Sequence, residues 1–289
     1  MVIAIFWALK HNVPYIINSE SQLLNKRNLW KSVIKKVILT PIIKRASAYL
    51  PTGKFAGEYL IQYGADPEKI FYFPNTPDVE FFIEESDKYR KKKDKIKEEL
   101  GIDKEYVILF VGRLIKVKGL FTLLRGFNEV KKKFGNVSLL IAGDGVLRGE
   151  LERFVEEKDI EDVHFAGFIS PEELPQYYAI SDIFVLPSIY EPWGVVVNEA
   201  MASGLPVILS DRVGSRGDLL KEGENGFSYP SKDYKKLADC ILKMLSNPDE
   251  SEKMGQKSGG IIQNFDYSFC ENNLKRALKK RFESFNWKK

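Results

Sequence analysis

From Tyr106 onward, short apolar runs alternate with helical patterns, and this alternation constrains the fold more than any other feature of the chain. Residues Tyr106–Val111, Val137–Ala142, 163–166, 182–186 and 206–209 read as strands, the last of these closing the series. Residues 120–134, 146–158, 171–179 and 195–203 read as the helices between them. Near-continuous apolar strands with crossover helices predict a parallel sheet covered on both faces. Ligands of such sheets bind beyond the carboxyl ends of the strands. The residues that follow Val111, Ala142, Ala166 and Leu186 therefore lie on the edge where a site belongs.

A chain of 289 residues has room for about two domains. Its 44% hydrophobic and 29% charged residues suit a soluble protein with a substantial core. A net charge of +4 is too weak to argue for nucleic acid, yet it is compatible with a phosphate-bearing ligand or a membrane surface. Two cysteines, Cys240 and Cys270, form no disulfide framework and no zinc spacing, which favours a reducing compartment. His11 and His164 are too few and too far apart for a metal cluster, and His164 reads as a packed strand residue. The first nine residues are apolar but lack the basic flank and cleavage site of a signal peptide. No run approaches the roughly 20 apolar residues that span a bilayer. The expected location is the cytoplasm, with peripheral contact at the inner membrane surface.

Residues 1–82 carry short apolar runs around Val13, Ala46 and Ile70, separated by polar or helical stretches, and read as a partial α/β domain. The charge-dense stretch 84–99 reads as a solvated helix within a connecting region, 83–104. Residues 105–270 form the regular second domain, and a closing helix over 271–289 is expected to pack back toward the first.

The segment from Ser188 to Ile208 carries the most chemistry. Glu191 and Glu199 stand eight positions apart, the first on a loop with Pro187, Pro192 and Gly194, the second on the opening turns of the next helix. Backbone N–H groups at that helix start make a ready phosphate site. A carboxylate pair beside such a cradle suits a ligand with both hydroxyls and phosphates. After the strand Tyr106–Val111, the loop from Gly112 to Gly119 places Arg113 and Lys118 at a helix entrance, with no carboxylate in the loop to neutralise them. Arginine forks two hydrogen bonds to phosphate and lysine supplies a point charge. Alone, the two cations read slightly better as solvent-facing. With the two glutamates on the same sheet edge, the ligand reading is the better one. The turn Ile141-Ala-Gly143-Asp-Gly reads either as a plain connection or as a wall of a nucleotide cleft, and Phe165-Ala-Gly-Phe168 ends another strand. Residues 210–217 read as a further polar wall or as an ordinary loop.

Taken in order, Phe110-Val-Gly-Arg-Leu, Lys118-Gly, Ile141-Ala-Gly-Asp-Gly, Phe165-Ala-Gly-Phe and Glu191-Pro-Trp-Gly-Val-Val-Val-Asn-Glu-Ala-Met-Ala-Ser-Gly-Leu-Pro-Val resemble the nucleotide-sugar-binding half of retaining glycosyltransferases of family 4, over about residues 70–265. The resemblance implies the GT-B fold, two Rossmann-like domains with parallel sheets. It also implies that Arg113 and Lys118 hold the donor diphosphate and that Glu199 binds the ribose hydroxyls. Glu191 would contact the transferred sugar. Gly194 and Val195 would offer backbone N–H groups to donor oxygens, Gly112 and Gly143 would belong to the donor-binding set, and Phe168 would border the base. No metal or other cofactor is implied. The expected reaction moves a hexose from a nucleoside-diphosphate sugar to a glycan or lipid-linked acceptor, with retention.

Family members open with a glycine-rich loop after a first strand, and this chain does not. The first domain is therefore read as incomplete, with self-association or a partner subunit as the expected consequence. Relatives carry a histidine near Ser19 and Glu20, which is absent here. The alternatives are a catalytically incomplete sugar-nucleotide-binding protein or subunit and, further off, a phosphorylase or epimerase on the same fold.

Overall fold

The computed structural model describes residues 2–23 and 29–282, which divide into two compact units. The first comprises residues 1–75 and 265–289, and the second runs from Thr76 to Asn264. Among the described residues, no helix is long and apolar enough to cross a membrane.

In the first unit, helix α1 (Val2–Lys10) precedes strand β1 (Ile16–Ser19), helix α2 (Leu29–Lys44), strand β2 (Ala48–Pro51) and helix α3 (Lys54–Gln62). The strands β1 and β2 pair in parallel, Ile16 opposite Ala48. The apolar run at Ile70 forms no strand of its own. It bridges only Tyr49 with Ile70, while the N–H groups of Phe71 and Phe73 donate to the carbonyls of Tyr49 and Pro51. One cluster joins Ile43, Tyr49, Tyr59, Leu60 and Tyr63. A second sets Ala277 and Leu274 of the chain's last described helix, Tyr267–Phe282, against Ala48, Leu50 and Phe71. The remainder of the expected closing helix, beyond residue 282, lies outside the described residues.

The second unit opens with α4 (Val79–Arg90) and α5 (Lys93–Glu99). Asp78 caps α4 by accepting from the Phe81 N–H. The charged run is thus two helices, and α4 buries Val79 and Phe82, the latter edge-on to Tyr178 at 5.8 Å. Then follow β3 (Tyr106–Val111), α6 (Leu120–Lys131), β4 (Val137–Ala142), α7 (Arg148–Glu157), β5 (Val163–Gly167), α8 (Leu174–Ala179), β6 (Ile183–Leu186), α9 (Val195–Ala202) and β7 (Val207–Ser210). The chain continues through α10 (Arg216–Leu219), β8 (Gly226–Tyr229), α11 (Tyr234–Leu245) and α12 (Pro248–Ile262), and the helix Tyr267–Phe282 is α13.

The six strands lie in the order β5-β4-β3-β6-β7-β8, all parallel. Strand β8 extends the sheet beyond 206–209, which the apolar pattern had placed last. Its sequence, Gly-Phe-Ser-Tyr, carries no continuous apolar run, and its Ser228 is held by hydrogen bonds to the Glu222 carboxylate. The chain builds outward from β3 through β5, returns to β6 beside β3, and builds outward the other way. That return makes a topological switch point between β3 and β6, where doubly wound sheets bind their ligands. His164, in edge strand β5, is half-buried, and burial lowers its pKa.

The loops leaving β3 and β6 touch backbone to backbone. Gly119 has φ +70, and a Cβ there would stand 2.1 Å from the Pro187 carbonyl oxygen. Gly101 has nearly the same φ, +68, with nothing within 4 Å of its Cβ position. Gly101→Ala should therefore cost about 1 kcal/mol of left-handed strain alone. Gly119→Ala should cost well over about 2 kcal/mol, since the clash adds to that strain. Urea midpoints of the two variants check this, and equal losses would contradict it.

Candidate functional site

The switch point gathers the sequence-predicted residues of two loops. After β3, the chain turns through Gly112, exposed Arg113 and a short turn, Lys116–Lys118, to Gly119. Buried Leu114 anchors this loop to the next one, donating to the Asp144 carbonyl and accepting from the Leu147 N–H. Gly143 packs just as tightly, because a Cβ there would lie 2.0 Å from the Gly112 carbonyl oxygen. The loop after β6 is joined to the first by a 2.7 Å bond from the Ile189 N–H to the Val117 carbonyl.

Residues 210–217 support the loop after β6 from its other side. The Ser210 hydroxyl donates to the Ser188 carbonyl, and the backbones of Arg212 and Gly214 exchange hydrogen bonds with Glu191. The Ser215 N–H reaches the Trp193 carbonyl. Buried Trp193 donates from its indole to Asn198 Oδ1 at 3.0 Å, which fixes the loop to α9. Gly194, at φ +92, opens that helix. The N–H groups of Val195 and Val196 precede its first turn bond, which runs from Val197 N to Gly194 O. Val195 is itself 37% exposed. N–H groups at a helix start have no intrahelical partner, and with the positive dipole end they favour an anion.

Lys118 is not the unneutralised cation that its own loop implied. Its Nζ stands 2.5 Å from Glu191 Oε2, and both side chains are only 13% exposed. The same carboxylate oxygen accepts from the Ser188 hydroxyl at 3.1 Å. Arg113, by contrast, forms no ion pair among the described residues and points its charge to solvent.

The second carboxylate has a different environment. Glu199 is 8% exposed, and its Oε2 accepts from the hydroxyl of fully buried Tyr178 at 2.7 Å. Burial raises the Glu199 pKa, and the tyrosine bond opposes that rise without cancelling it. The Tyr178 pKa is pushed far above its usual value by burial and then by the neighbouring carboxylate. The structure thus brings Lys118 and Glu191 together and gives Glu199 to a separate partner. Phe168 stands 78% exposed at the end of edge strand β5. Ser188 and Tyr178 are the residues that the sequence did not single out. Ser188 was findable three positions before Glu191, but Tyr178 looks like any core aromatic.

A cavity of about 420 Å³ lies elsewhere, at the amino edge of the same sheet, between Tyr106, Asp182 and Pro206. Its cations are already engaged: Lys93 Nζ lies 2.7 Å from Asp182, and Arg90 donates to the Ser203 carbonyl. Among the described residues, no group of three or more His, Cys, Asp or Glu could hold a metal ion.

The family model for glycosyl transferases group 1 matches residues 92–259 of the chain. This protein belongs to that family. An uncharacterized glycosyltransferase from Methanocaldococcus jannaschii is 31% identical over 227 residues, which are 77% of this chain and 51% of that protein. Against solved structures, the chain resembles Anabaena HepE in complex with UDP, with a TM-score of 0.81 at 21% identity over 96% of this chain and 76% of that one. It also resembles the sucrose-phosphate synthase of Thermosynechococcus elongatus, with a TM-score of 0.76 at 24% identity over 97% of this chain and 71% of that one. These likenesses establish the GT-B fold. The chain spans about half the length of the curated relatives it matches.

The raised pKa of Glu199 has a stability consequence in this group 1 chain. An acid with a raised folded pKa holds its proton more tightly when folded. Folding stability therefore falls as pH rises from the ordinary carboxylate range through the raised value. Glu199→Gln should raise the melting temperature of the ligand-free protein at neutral pH. The gain should vanish in acid, once the native carboxyl is protonated in both folded and unfolded chains. Melting curves from acid to neutral pH check this, and a lower melting point for the variant at neutrality would contradict it.

Proposed function

We propose that the chain carries the donor site of a retaining hexosyltransferase of glycosyltransferase family 4. In this reading a hexose passes from a nucleoside-diphosphate sugar to a glycan or lipid-linked acceptor. The observation that carries the reading is the switch-point constellation. Arg113, Lys118 and the start of α9 supply positive charge, while Glu191 and Glu199 supply acceptors for hydroxyls.

The roles follow from the charges. The donor diphosphate lies against Arg113, Lys118 and the N–H groups of Gly194 and Val195. Glu199, steadied by Tyr178, accepts hydrogen bonds from the ribose diol. Phe168 offers an exposed ring to the base. Glu191 faces the hydroxyls of the transferred sugar, and Gly112 and Gly143 keep the loop floor free of side chains that would exclude the donor. During transfer the bond between the anomeric carbon and the phosphate oxygen breaks, and its electron pair leaves with the diphosphate. Preorganised cations and N–H dipoles stabilise that developing charge. The acceptor hydroxyl adds to the same face of the sugar and passes its proton to the departing diphosphate oxygen. This scheme assigns no step to a metal.

Lys118 must turn part of its charge from Glu191 toward the phosphates, which gives the reading a specific signature. HepE, which shares this fold, was crystallised with UDP and UDP-glucose, so these are the first ligands to titrate, followed by other nucleoside diphosphates. Lys118→Ala should weaken nucleoside-diphosphate binding by about 1.5–3 kcal/mol, the scale of a charged hydrogen bond. Glu199→Gln should weaken nucleoside and nucleotide alike. Glu191→Gln should leave bare diphosphate affinity unchanged or improved, because the competing carboxylate is gone, while it reduces sugar-dependent binding or turnover. Calorimetric titration of the three variants decides the matter. Loss of diphosphate affinity in Glu191→Gln equal to that in Glu199→Gln would refute this division of labour.

A further inference from the structure

Between Ser21 and Gly57 the chain holds eight lysines and arginines and no aspartate or glutamate. The rest of the molecule is close to balanced, since the net charge is only +4. Helix α2 lies within this cationic stretch and carries apolar residues on both its inward and its outward side. One side packs inward, with Ile43 buried and Leu39 against the Tyr49–Tyr59–Leu60 cluster. The other side leaves aliphatic groups in water: Val37 is 70% exposed and Ile38 56%. Val37, Pro41 and Lys44, at spacing i, i+4 and i+7, share one exposed stripe, and Lys36 is exposed beside it. The neighbouring Lys35 is held to the protein, with its ammonium 4.7 Å from the centre of the Tyr59 ring.

We propose that the outward face of α2 is a docking surface for an anionic lipid bilayer. Charge complementarity selects this occupant. Lys36, Lys44 and Arg45 are exposed in a stretch of sequence that holds no aspartate or glutamate, and such cations are attracted to the negative headgroup layer. The exposed aliphatic side chains then enter the boundary between headgroups and acyl chains, as they do in interfacial helices. A nucleic acid would use the same cations, but it offers nothing to Val37 and Ile38. The inference does not rest on the donor-site reading, so either can fail alone.

The test is flotation of the full chain with two kinds of vesicle. One contains phosphatidylcholine alone, and the other contains phosphatidylcholine and phosphatidylglycerol in equal parts. The chain is expected to float with the anionic vesicles only and to be released by molar salt. Reversing charge in K36E/K44E should lower the bound fraction by about tenfold or more. V37S/I38S, which removes the aliphatic contact and keeps every charge, should also weaken binding several-fold. Unchanged melting temperatures show that the variants fold. Failure to float, equal floating with neutral vesicles, or binding indifferent to V37S/I38S would each overturn the proposal. So would a chain that self-associates without floating and becomes monomeric in V37S/I38S, because the face would then be a contact between copies.

Discussion

The contact on which the candidate site depends is the meeting of two loop backbones at the carboxyl ends of β3 and β6. A carbonyl oxygen of Pro187 sits where residue 119 would carry its Cβ, and a hydrogen bond from Ile189 to Val117 closes the same junction. Because the backbones come this close, Lys118 and Glu191, 73 positions apart, reach one another. The pair is mostly removed from water, which makes it stiffer than a surface ion pair and costly to leave half-made. Ser188 and the 210–217 loop then fix the carboxylate from behind. Any larger side chain at the junction would move both charges at once.

Most of the sheet was legible in the sequence because its strands are buried on both faces, and burial on both faces writes itself as an unbroken apolar run. Strand β8 at the edge was not, because Gly226 and Ser228 interrupt such a run. The stretch around Ile70 misled in the opposite way. It is apolar because Ile70 packs on the Tyr49–Tyr59–Leu60 cluster while Phe71 and Phe73 pack with Ala277 and Leu274 of a distant helix, yet it pairs too briefly to count as a strand. The glutamate segment was legible because glycine, proline and two carboxylates occur together at a strand end. The Lys118–Glu191 pair was not. Alternation of strands and helices says which loops share an edge, but adjacency of β3 and β6 arises only when the chain returns to the middle of the sheet. Tyr178 was invisible for a simpler reason, that a buried tyrosine in an apolar helix carries no mark of its hydrogen bond.

Two carboxylates eight positions apart face a common difficulty in the proposed reading, since each would repel the anionic ligand that the helix start and the cations would attract. The structure resolves it differently for each. Glu191 is matched by a cation, so its charge is compensated in the free protein and adds little repulsion where a diphosphate would lie. Glu199 has a neutral hydroxyl for a partner and is withdrawn into a nearly dry position. Its charge therefore stays uncompensated by the partner that holds it, at a cost that burial makes visible in its raised pKa. A carboxylate kept in that condition is a stronger acceptor than a solvated one, because it has exchanged water for one hydrogen bond and retains lone pairs to satisfy. Neutral diols relieve that deficit without bringing more negative charge, whereas phosphates would worsen it. In the proposed reading, the different partners, more than the spacing of the two glutamates, would suit one residue to a sugar beside the phosphates and the other to a ribose away from them.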